Sequence, residues 1–350
     1  MKNPFCISFG RKPVEYIDRI PERERIINTF TLDPITDQMF LITGVRGVGK
    51  TVLMNAAAHS LEEQDEWIVL WESSAEDINE SIYSDLYHKL RRGSMGIGQM
   101  SVSFGGANVS VERKSPQENT VSQIDELLEK ADKKKKKVLV VIDEVTNTPQ
   151  MRSFAHMFQI ECARNRPIFF LGTGLYENIE ALSDENDLTF LHRAPRIVLN
   201  PLDNISVARS YQNIFGISEE KARDMAMLVK GYSFAFQALG YLYWENGKPD
   251  DLSEILPAYD AMLSDASYSK IWSECSGKDQ EVLKAMAITS SEYVSDIREN
   301  CGNMTPNYFS VYRARLMKRG IITSSARRMI RFSLPRFREF VKNCILFSEM

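Results

Sequence analysis

The sequence predicts an α/β fold: a parallel β-sheet with helices on both faces, followed by an all-helical region and a C-terminal unit of three helices and a β-hairpin. Three observations lead to this prediction. Over about the first 200 residues, short and nearly continuous apolar runs alternate with helical patterns, as is typical of strands covered on both faces. A glycine-rich segment directly follows the first run. After Pro201 the strand patterns stop, and helical periodicity continues alone up to the C-terminal unit that begins after Gly277.

Five apolar runs in the N-terminal part predict the strands of the sheet. They are Met39–Thr43, Trp67–Trp71, Val138–Ile142, Ile168–Leu171 and Arg196–Leu199. Between them, apolar residues recur every three to four positions, which predicts helices. One helix begins at Lys50, and the others cover Ile78–Leu90, Val121–Leu128 and Met151–Ala163. Alternating apolar residues around a Gly-Gly turn predict an additional hairpin at Met100–Val111.

The part after Pro201 predicts helices and then a new compact unit. The first helices are predicted at Ile205–Phe215, Glu219–Val229, Phe234–Trp244 and Leu252–Trp272. Three helices and two strands follow, at Asp279–Ile288, Val294–Asn300, Tyr308–Lys318, Ile321–Thr323 and Met329–Phe332. Three helices followed by a hairpin predict a winged helix. We therefore expect a core domain at 1–202, a helical lid at 203–275 and a winged-helix domain at 276–350.

The composition is that of an ordinary globular chain. The 350 residues are 43% hydrophobic and 26% charged, which fits two or three domains. The apolar runs are too short to span a bilayer and the N-terminus lacks the apolar stretch of a secretory signal. Five scattered cysteines without a CxxC pair argue against a disulfide framework and a zinc site. We expect a cytoplasmic protein with reduced thiols and no membrane partner.

Charge is distributed unevenly along the chain. The formal net charge is −4, yet residues 303–350 contain ten Lys and Arg against two Glu. This end therefore carries +8 and the remaining residues carry −12. A basic end on an acidic body predicts an acidic or polyanionic partner for the C-terminal unit.

The glycine-rich segment fits the pattern G-x-x-x-x-G-K-[ST] at Gly44–Thr51. Glycines let a backbone wrap a phosphate with its N–H groups pointing inward, and the following helix adds its positive N-terminus. In this pattern Lys50 reaches the β- and γ-phosphates of ATP, and Thr51 holds Mg²⁺. The predicted nucleotide-binding residues are Gly44, Val45, Arg46, Gly47, Val48, Gly49, Lys50, Thr51 and Val52.

An Asp-Glu pair ends the third predicted strand. Asp143 is placed to bind Mg²⁺, directly or through water, and Glu144 to orient and deprotonate an attacking water. The pair stands about 90 residues after the glycine-rich segment. Thr173, at the end of the next strand, has two interpretations of equal weight: a group that senses the γ-phosphate or the water, or a plain strand-end cap.

These motifs resemble those of P-loop ATPases with an added acidic catalytic residue, within the AAA+ and STAND group. More closely, the chain resembles bacterial and archaeal ATPases that, like the replication initiators, end in a winged helix. Their Walker A loop, Walker B pair and sensor strand match Gly44–Thr51, Asp143-Glu144 and Ile168–Thr173. The other similar segments are "HRAPRIVLNPL" at 192–202, "GYSFAF" at 231–236, "RLMKRGII" at 315–322 and "RFSLPRFREFV" at 331–341.

The resemblance implies further site residues. The arginine that meets the γ-phosphate, in cis or from a neighbouring subunit, corresponds to Arg193 or Arg196, and Arg193 fits the family's position better. The alternative for both is a solvated arginine on a loop. The segment that packs on adenine corresponds to Ile20 and Pro21, which the start of a helix also explains. The lid turn departs from the family, because Ser233 stands where a proline would fix φ and position the lid.

The leading hypothesis is a Mg²⁺-ATP-dependent switch that hydrolyses ATP slowly and whose nucleotide state positions the winged helix. A small-molecule kinase is a second hypothesis, although its chemistry leaves the basic C-terminal part without a role. A third is a scaffold that binds ATP without hydrolysing it and recruits a protein. The winged helix has two candidate partners, double-stranded DNA and a protein, and an arginine supplied between subunits would require a homo-oligomer. The candidate DNA contacts are Arg313, Arg315, Arg327, Arg328 and Arg331.

Overall fold

The structure is a computed structural model that describes residues 2–7, 14–92, 116–302 and 304–348. The hairpin predicted at Met100–Val111 lies outside the described residues. The chain divides into two compact units, each assembled from separate stretches of sequence. The sheet unit comprises Ile20–Thr43 and Leu53–Ile197, and the helical unit comprises Met1–Arg19, Gly44–Val52 and Val198–Met350. The division into three domains stays a prediction.

A five-stranded sheet forms the centre of the sheet unit. Its strands are β1 (Met39–Thr43), β2 (Trp67–Glu72), β3 (Lys137–Ile142), β4 (Ile168–Gly174) and β5 (Arg196–Val198). Their order is β2-β3-β4-β1-β5, and the pairs β2/β3, β3/β4 and β4/β1 are parallel. The predicted parallel sheet is therefore confirmed. The carboxyl ends of β1, β3 and β4 share one edge, which is where open parallel sheets bind their ligands.

Helices cover both faces of this sheet, as predicted. Successive strand residues point to opposite faces, so Phe40 and Leu41 belong to different layers. Leu41 lies in a hydrophobic core with residues of α3, α4 and α5. Phe40 lies on the other face and packs on Phe30 of α1, with 5.5 Å between the ring centroids. The helices associated with the sheet are α1 (Ile20–Thr31), α2 (Lys50–Glu62), α3 (Ile78–Arg92), α4 (Pro116–Lys133), α5 (Pro149–Ala163) and α6 (Tyr176–Ser183).

Three helices open the long C-terminal stretch of the helical unit: α7 (Asn204–Phe215), α8 (Glu219–Val229) and α9 (Ser233–Glu245). Their ends differ from the predicted ends by at most one residue. Asp203 and Ser218 cap the first two helices by accepting hydrogen bonds from backbone amides of the first turn, which satisfies N–H groups without intrahelical partners.

The single helix predicted at Leu252–Trp272 is interrupted in the structure. A 3₁₀ turn at Leu252–Glu254 precedes α10 (Leu256–Leu263), and a π-helical turn at Ser264–Tyr268 leads into α11 (Ser269–Ser273). Pro257 lies in the first turn of α10, where its missing N–H has no helical partner to lose, so a new helix begins there. The π turn has Ser267 and Tyr268 buried in the core.

The C-terminal part contains α12 (Gly277–Ile288), α13 (Val294–Glu299), α14 (Pro306–Lys318), β6 (Ile322–Ala326), β7 (Met329–Phe332) and α15 (Phe337–Ser348). The two strands form an antiparallel hairpin with Ile322 opposite Phe332. Helix α15 was not predicted from the sequence; it buries Phe337 and Val341 one turn apart. The order of elements is the predicted one up to the hairpin, and the assignment as a winged helix stays a prediction.

One hydrophobic core runs through the helical unit. It joins residues of the predicted lid, such as Leu239, to residues of the predicted winged helix, such as Phe309. The N-terminal Phe5 also belongs to it, and its ring centroid lies 5.4 Å from that of Phe215 and 5.5 Å from that of Phe236. Among the described residues, no helix combines the length and the apolar character needed to cross a bilayer.

Candidate functional site

The glycine-rich loop connects β1 to α2 and begins at Gly44. Gly47 and Gly49 have φ angles of 80° and 99°, which L-residues with a Cβ rarely adopt. A Cβ on Gly47 would lie 2.2 Å from the hydroxyl oxygen of Tyr232. The loop therefore needs glycine at this position both for its backbone conformation and for its contact with the segment that precedes α9.

Lys50, the first residue of α2, binds the loop from which the helix emerges. Its Nζ donates hydrogen bonds to the carbonyl oxygens of Gly44 at 2.9 Å and Val45 at 3.2 Å. The Val45 carbonyl also accepts the N–H of Val48 at 3.3 Å. An ammonium group binds phosphate more strongly than it binds a neutral carbonyl, so this arrangement can exchange its internal bonds for an anion. Thr51 and Val52 follow in the first turn and are half-buried.

The start of α9 and one arginine donate four hydrogen bonds to three successive carbonyl groups of the loop. The pairs are Tyr232 Oη to Arg46 O (2.6 Å), Phe234 N to Gly47 O (3.1 Å), Ser233 Oγ to Val48 O (2.7 Å) and Arg19 Nη2 to Val48 O (3.2 Å). Ser233, which stands where the resemblance leads to proline, thus supplies a hydroxyl donor that proline lacks. Neither Tyr232 nor Arg19 was predicted from the sequence to be part of this site.

Arg46 also connects the loop to the C-terminal part of the helical unit. Its guanidinium lies 3.5 Å from the carboxylate of Glu274, directly after α11. The same carboxylate lies 3.7 Å from Lys270 and 3.9 Å from Arg319, the residue that ends α14. Arg319 is only 9% exposed, so water screens this network less than it screens a pair on the open surface.

A second cluster lies at the carboxyl ends of β3 and β4 in the sheet unit. The buried Thr173 donates a hydrogen bond through its hydroxyl to Oδ1 of Asp143. The backbone N–H of Glu144 donates to the same Oδ1 at 3.0 Å and lies 3.4 Å from the Thr173 hydroxyl. Glu144 has a φ of 54° and an exposed side chain. A non-glycine residue in this conformation is uncommon and is often found at functional sites.

Two protein families match parts of the chain, and the first match contains the glycine-rich loop and the Asp143-Glu144 pair. Residues 17–159 match a family described as an ATPase domain predominantly from Archaea. Residues 265–341 match a second family, described as a domain of unknown function. No curated protein sequence matches the chain.

Comparison with solved structures gives similarity over nearly the whole length. The Walker-type ATPase of Pyrococcus abyssi has a TM-score of 0.64 at 15% identity, covering 93% of this chain and 95% of its own. The Aeropyrum pernix ORC2 protein, in its ADPNP–ADP complexes, has a TM-score of 0.61 at 14% identity, with 98% of each chain covered. Cdc6p of Pyrobaculum aerophilum has a TM-score of 0.51 at 13% identity, covering 98% of this chain and 97% of its own. The fold is that of a P-loop ATPase of the AAA+ type.

In this AAA+ fold the two candidate arginines differ in their surroundings. Arg196 forms an ion pair with Glu180 and lies 3.3 Å from the Ser183 hydroxyl, both on α6. Arg193 ends the 3₁₀ turn Thr189–Arg193 and is exposed, and its guanidinium forms no hydrogen bond or ion pair with other residues of the described part of the chain. Arg193 is therefore the better candidate for contact with a phosphate.

Ile20 and Pro21, the candidate adenine contacts, are exposed in the first turn of α1. The start of a helix at Ile20 is the alternative that the sequence analysis kept open, and it fits these positions. Contact with adenine stays a prediction.

The five candidate DNA-contacting arginines are of two kinds. Arg315 forms an ion pair with the buried Asp279 of α12 and donates to Ser276 at 2.6 Å, while Arg313 is half-buried with a Nε that has no hydrogen-bond partner among the described residues. The remaining three belong to the hairpin, where they are exposed: Arg327, Arg328 and Arg331.

Proposed function

We propose that the protein is a Mg²⁺-dependent ATPase whose nucleotide state controls the placement of its C-terminal helices and hairpin. The observation that carries this proposal is the cluster at the ends of β3 and β4. There Asp143 accepts hydrogen bonds from Thr173 and from the amide of Glu144, with the Glu144 side chain exposed beside it. A carboxylate oriented by two donors is a preorganised ligand, and an exposed neighbouring carboxylate is suited to binding water. The ATPase match of residues 17–159 supports the same proposal.

Four residues of the two Walker motifs then have distinct roles. Lys50 exchanges its carbonyl partners for phosphate oxygens of ATP. Thr51 and Asp143 offer a hydroxyl and a carboxylate oxygen, the ligand type that Mg²⁺ prefers, and bound Mg²⁺ would neutralise phosphate charge. Glu144 orients the attacking water and accepts its proton. Thr173 keeps the Asp143 carboxylate oriented, which fits its burial better than the role of a strand-end cap.

The exposed Arg193 is the proposed γ-phosphate arginine, supplied in cis or to a neighbouring subunit. If a neighbour supplies it, turnover per molecule rises with protein concentration. Because a water-activating glutamate needs no other acceptor, phosphate is released without an added alcohol, which separates the ATPase from a kinase and from a non-hydrolysing scaffold.

The first prediction tests the division of roles between Lys50 and Glu144. We expect Glu144→Gln to bind ATP like the parent and to release phosphate about 10²–10⁴ times more slowly, because one catalytic base is lost. Lys50→Ala should lose ATP binding altogether. Binding is measured with a fluorescent ATP analogue and turnover by release of inorganic phosphate.

The matched control for this experiment is Glu63→Gln, a change of the same kind at an exposed turn position directly after α2. It should leave both binding and turnover at the parent values. Turnover of the Glu144→Gln variant at the parent rate would exclude Glu144 as the base.

The Arg46–Glu274–Arg319 network supports the proposed switch. Phosphate bound at the Walker A loop adds negative charge near Arg46 and competes with Glu274 for this guanidinium. Glu274 also interacts with Arg319 at the end of α14. When Arg46 exchanges Glu274 for phosphate, the interaction of Glu274 with Arg319 therefore changes at the end of α14, the helix that precedes the hairpin. All of these residues belong to one compact unit.

We propose double-stranded DNA as the partner of the C-terminal end, through the exposed hairpin arginines Arg327, Arg328 and Arg331. The strong positive charge of residues 303–350 supports a polyanion. One observation favours a protein instead: α14 exposes two large side chains one turn apart, Tyr308 and Val311, with exposed fractions of 61% and 64%.

The second prediction separates these partners. Reversal of Arg327, Arg328 and Arg331 to Glu should abolish binding to a DNA duplex at about 50 mM salt without changing ATP turnover, because these residues supply phosphate contacts. For the parent, about five neutralised phosphates give a slope of log K against log salt of about −4 to −5. Duplex binding and its salt dependence are measured by fluorescence anisotropy, and ATP turnover by release of inorganic phosphate.

The control reverses three exposed lysines of the sheet unit, Lys130, Lys133 and Lys135, which changes the net charge by the same amount. It should retain DNA binding. A parent protein that binds no duplex with either ATP or ADP would overturn the DNA proposal and leave the protein partner.

A further inference from the structure

The Walker A loop is held by hydroxyl groups from a segment nearly two hundred residues away in sequence. Tyr232 Oη and Ser233 Oγ donate to the carbonyls of Arg46 and Val48, and the amide of Phe234 donates to the carbonyl between them. Three consecutive peptide groups of the loop therefore have their carbonyl oxygens turned toward the start of α9.

The orientation of these carbonyls determines the orientation of the neighbouring amides. In a trans peptide the C=O and the following N–H point in opposite directions. The amides of Gly47 and Gly49 therefore point away from the start of α9. Backbone amides on this side of the loop are available to form the nest that binds phosphate.

The contacts are close and come from protonated donors. Tyr232 is 3% exposed, and burial raises the pKa of its hydroxyl, so it remains a donor at all physiological pH values. The same hydroxyl lies 2.7 Å from that of Ser267, which anchors it in the core. A Cβ on Gly49 would lie 3.3 Å from Ser233 Oγ, so the loop and the hydroxyl are packed together without space for another side chain.

We propose that Tyr232 and Ser233 are positioning residues that hold the Walker A backbone in its phosphate-binding conformation before the nucleotide arrives. Ser233 performs by hydrogen bonding what a proline cannot, since proline has no side-chain donor. Preorganisation of this kind increases affinity because the loop loses less freedom when the phosphate binds. The inference rests on the proposed binding of ATP at this loop.

The first measurement needs no nucleotide. Amide hydrogen exchange of peptides covering residues 44–52 should be faster in Tyr232→Phe and in Ser233→Ala than in the parent, because the loop opens more often. Two controls remove a hydroxyl that donates to a backbone carbonyl elsewhere: Tyr268→Phe, whose partner is Pro335, and Ser60→Ala, whose partner is Ala56. Neither should change exchange in the loop.

The second measurement is the affinity for ADP and for an ATP analogue. Loss of one hydrogen bond should weaken each affinity about threefold to tenfold, and loss of both by more than tenfold. Ser233→Thr keeps the hydroxyl and should restore the parent affinity, whereas Ser233→Pro should behave like Ser233→Ala. A purely structural role for Ser233 would not give this rescue pattern at an unchanged Tm.

The two measurements separate this inference from the proposed function. A parent that binds nucleotide, with variants whose loop exchange and affinities equal those of the parent, would overturn the positioning role. A parent that binds no nucleotide would overturn the proposed function, and faster exchange in the variants would then still support the hydroxyl contacts as the restraint on the loop.

Discussion

A single buried carboxyl group should make the stability of the sheet unit depend on pH. Glu161 of α5 is fully buried, and burial followed by repulsion from Asp125 raises its pKa from 4.5 to about 7. Arg164, 3.0 Å away, offsets part of this effect, and Arg166 lies nearby on Asp125. A carboxyl group with a raised folded-state pKa favours the folded state only while it is protonated. Its contribution is therefore complete below about pH 4.5 and is lost as the pH rises through about 7.

We therefore expect Glu161→Gln to be more stable than the parent at pH 8, by up to about 3 kcal/mol. The difference should shrink toward zero as the pH falls below about 4.5, where both side chains are neutral. Urea unfolding at several pH values measures it. Glu126→Gln, an exposed change on the neighbouring α4, is the control; an equal pH trend in the control would show that Glu161 is not responsible.

At the residue scale, sequence identified the groups that lie in local patterns and missed those that do not. Lys50 and Asp143 were predicted because loop spacing and strand ends are visible within ten residues. Tyr232 and Ser233 reach loop carbonyls 186 and 185 positions away, and hydroxyl contacts leave no periodicity. Ser233 was noticed only because it departs from a family pattern.

Among the elements, α12 and α14 are joined by the ion pair between Asp279 and Arg315. Asp279 and Ser276 form a capping box at the start of α12, and Asp279 is 1% exposed. Arg315 of α14 donates to both side chains. Removing the guanidinium would leave a buried carboxylate with only its capping contacts, and uncompensated buried charges are costly.

We expect Arg315→Ala to lower the free energy of unfolding by about 1–3 kcal/mol, less than for a fully buried pair, because Arg315 is 41% exposed. Urea denaturation of the full chain measures this loss. The control is Arg223→Ala, whose ion pair with Glu219 is exposed at both ends and should contribute at most about 0.5 kcal/mol. Equal losses would show that the pair at Asp279 is a surface contact in its energetics.

The elements predicted best are those with the strongest burial pattern. The strand runs Met39–Thr43 and Val138–Ile142 are buried along their whole length. A short, continuous apolar run between polar segments is typical of a strand buried on both faces. The helix at Leu252–Trp272 was predicted as continuous because its periodicity persists, but Pro257 and the π turn shift the buried face. α15 was missed because the predicted elements stopped with the hairpin at Phe332, although Phe337 and Val341 lie one turn apart and are buried.

On the scale of the whole molecule, the N-terminus completes the core of the helical unit. Phe5 is 3% exposed and packs on aromatic rings of α7 and α9. A Cβ on Gly240 of α9 would lie 2.4 Å from the Phe5 ring, so the ring occupies a space that only glycine leaves open. The first residues therefore act as part of a core formed more than two hundred positions later.

Phe5→Ala should therefore lower the free energy of unfolding by about 3–5 kcal/mol, the range for a buried phenylalanine whose cavity does not close. Thermal and urea unfolding measure it. Phe347→Ala removes an equal ring that is 78% exposed on α15 and should change stability little. A loss at Phe5 no larger than at Phe347 would show that the N-terminus does not contribute to the core.

Composition could not reveal this assembly, because Phe5 lies in a short segment without helical or strand periodicity. Nor could it reveal that the nucleotide loop and the C-terminal helices share one compact unit while the sheet forms another. The three predicted domains are continuous stretches of the chain. The two compact units are instead defined by contacts and combine separate stretches of the chain. Charge was informative at this scale, since the exposed arginines of the hairpin were expected from the basic end.

The interleaving of the two units has a consequence for synthesis on the ribosome. The Walker A loop leaves the ribosome early, but its partners Tyr232, Ser233 and Phe234 are translated about 180 residues later. At about 5–20 residues per second, this delay lasts roughly 10–40 s. During that interval the sheet can begin to fold while the loop still lacks the hydroxyl groups that orient it. We therefore expect the proposed binding of nucleotide at this loop to be weaker in a nascent chain until the start of α9 has emerged from the ribosome.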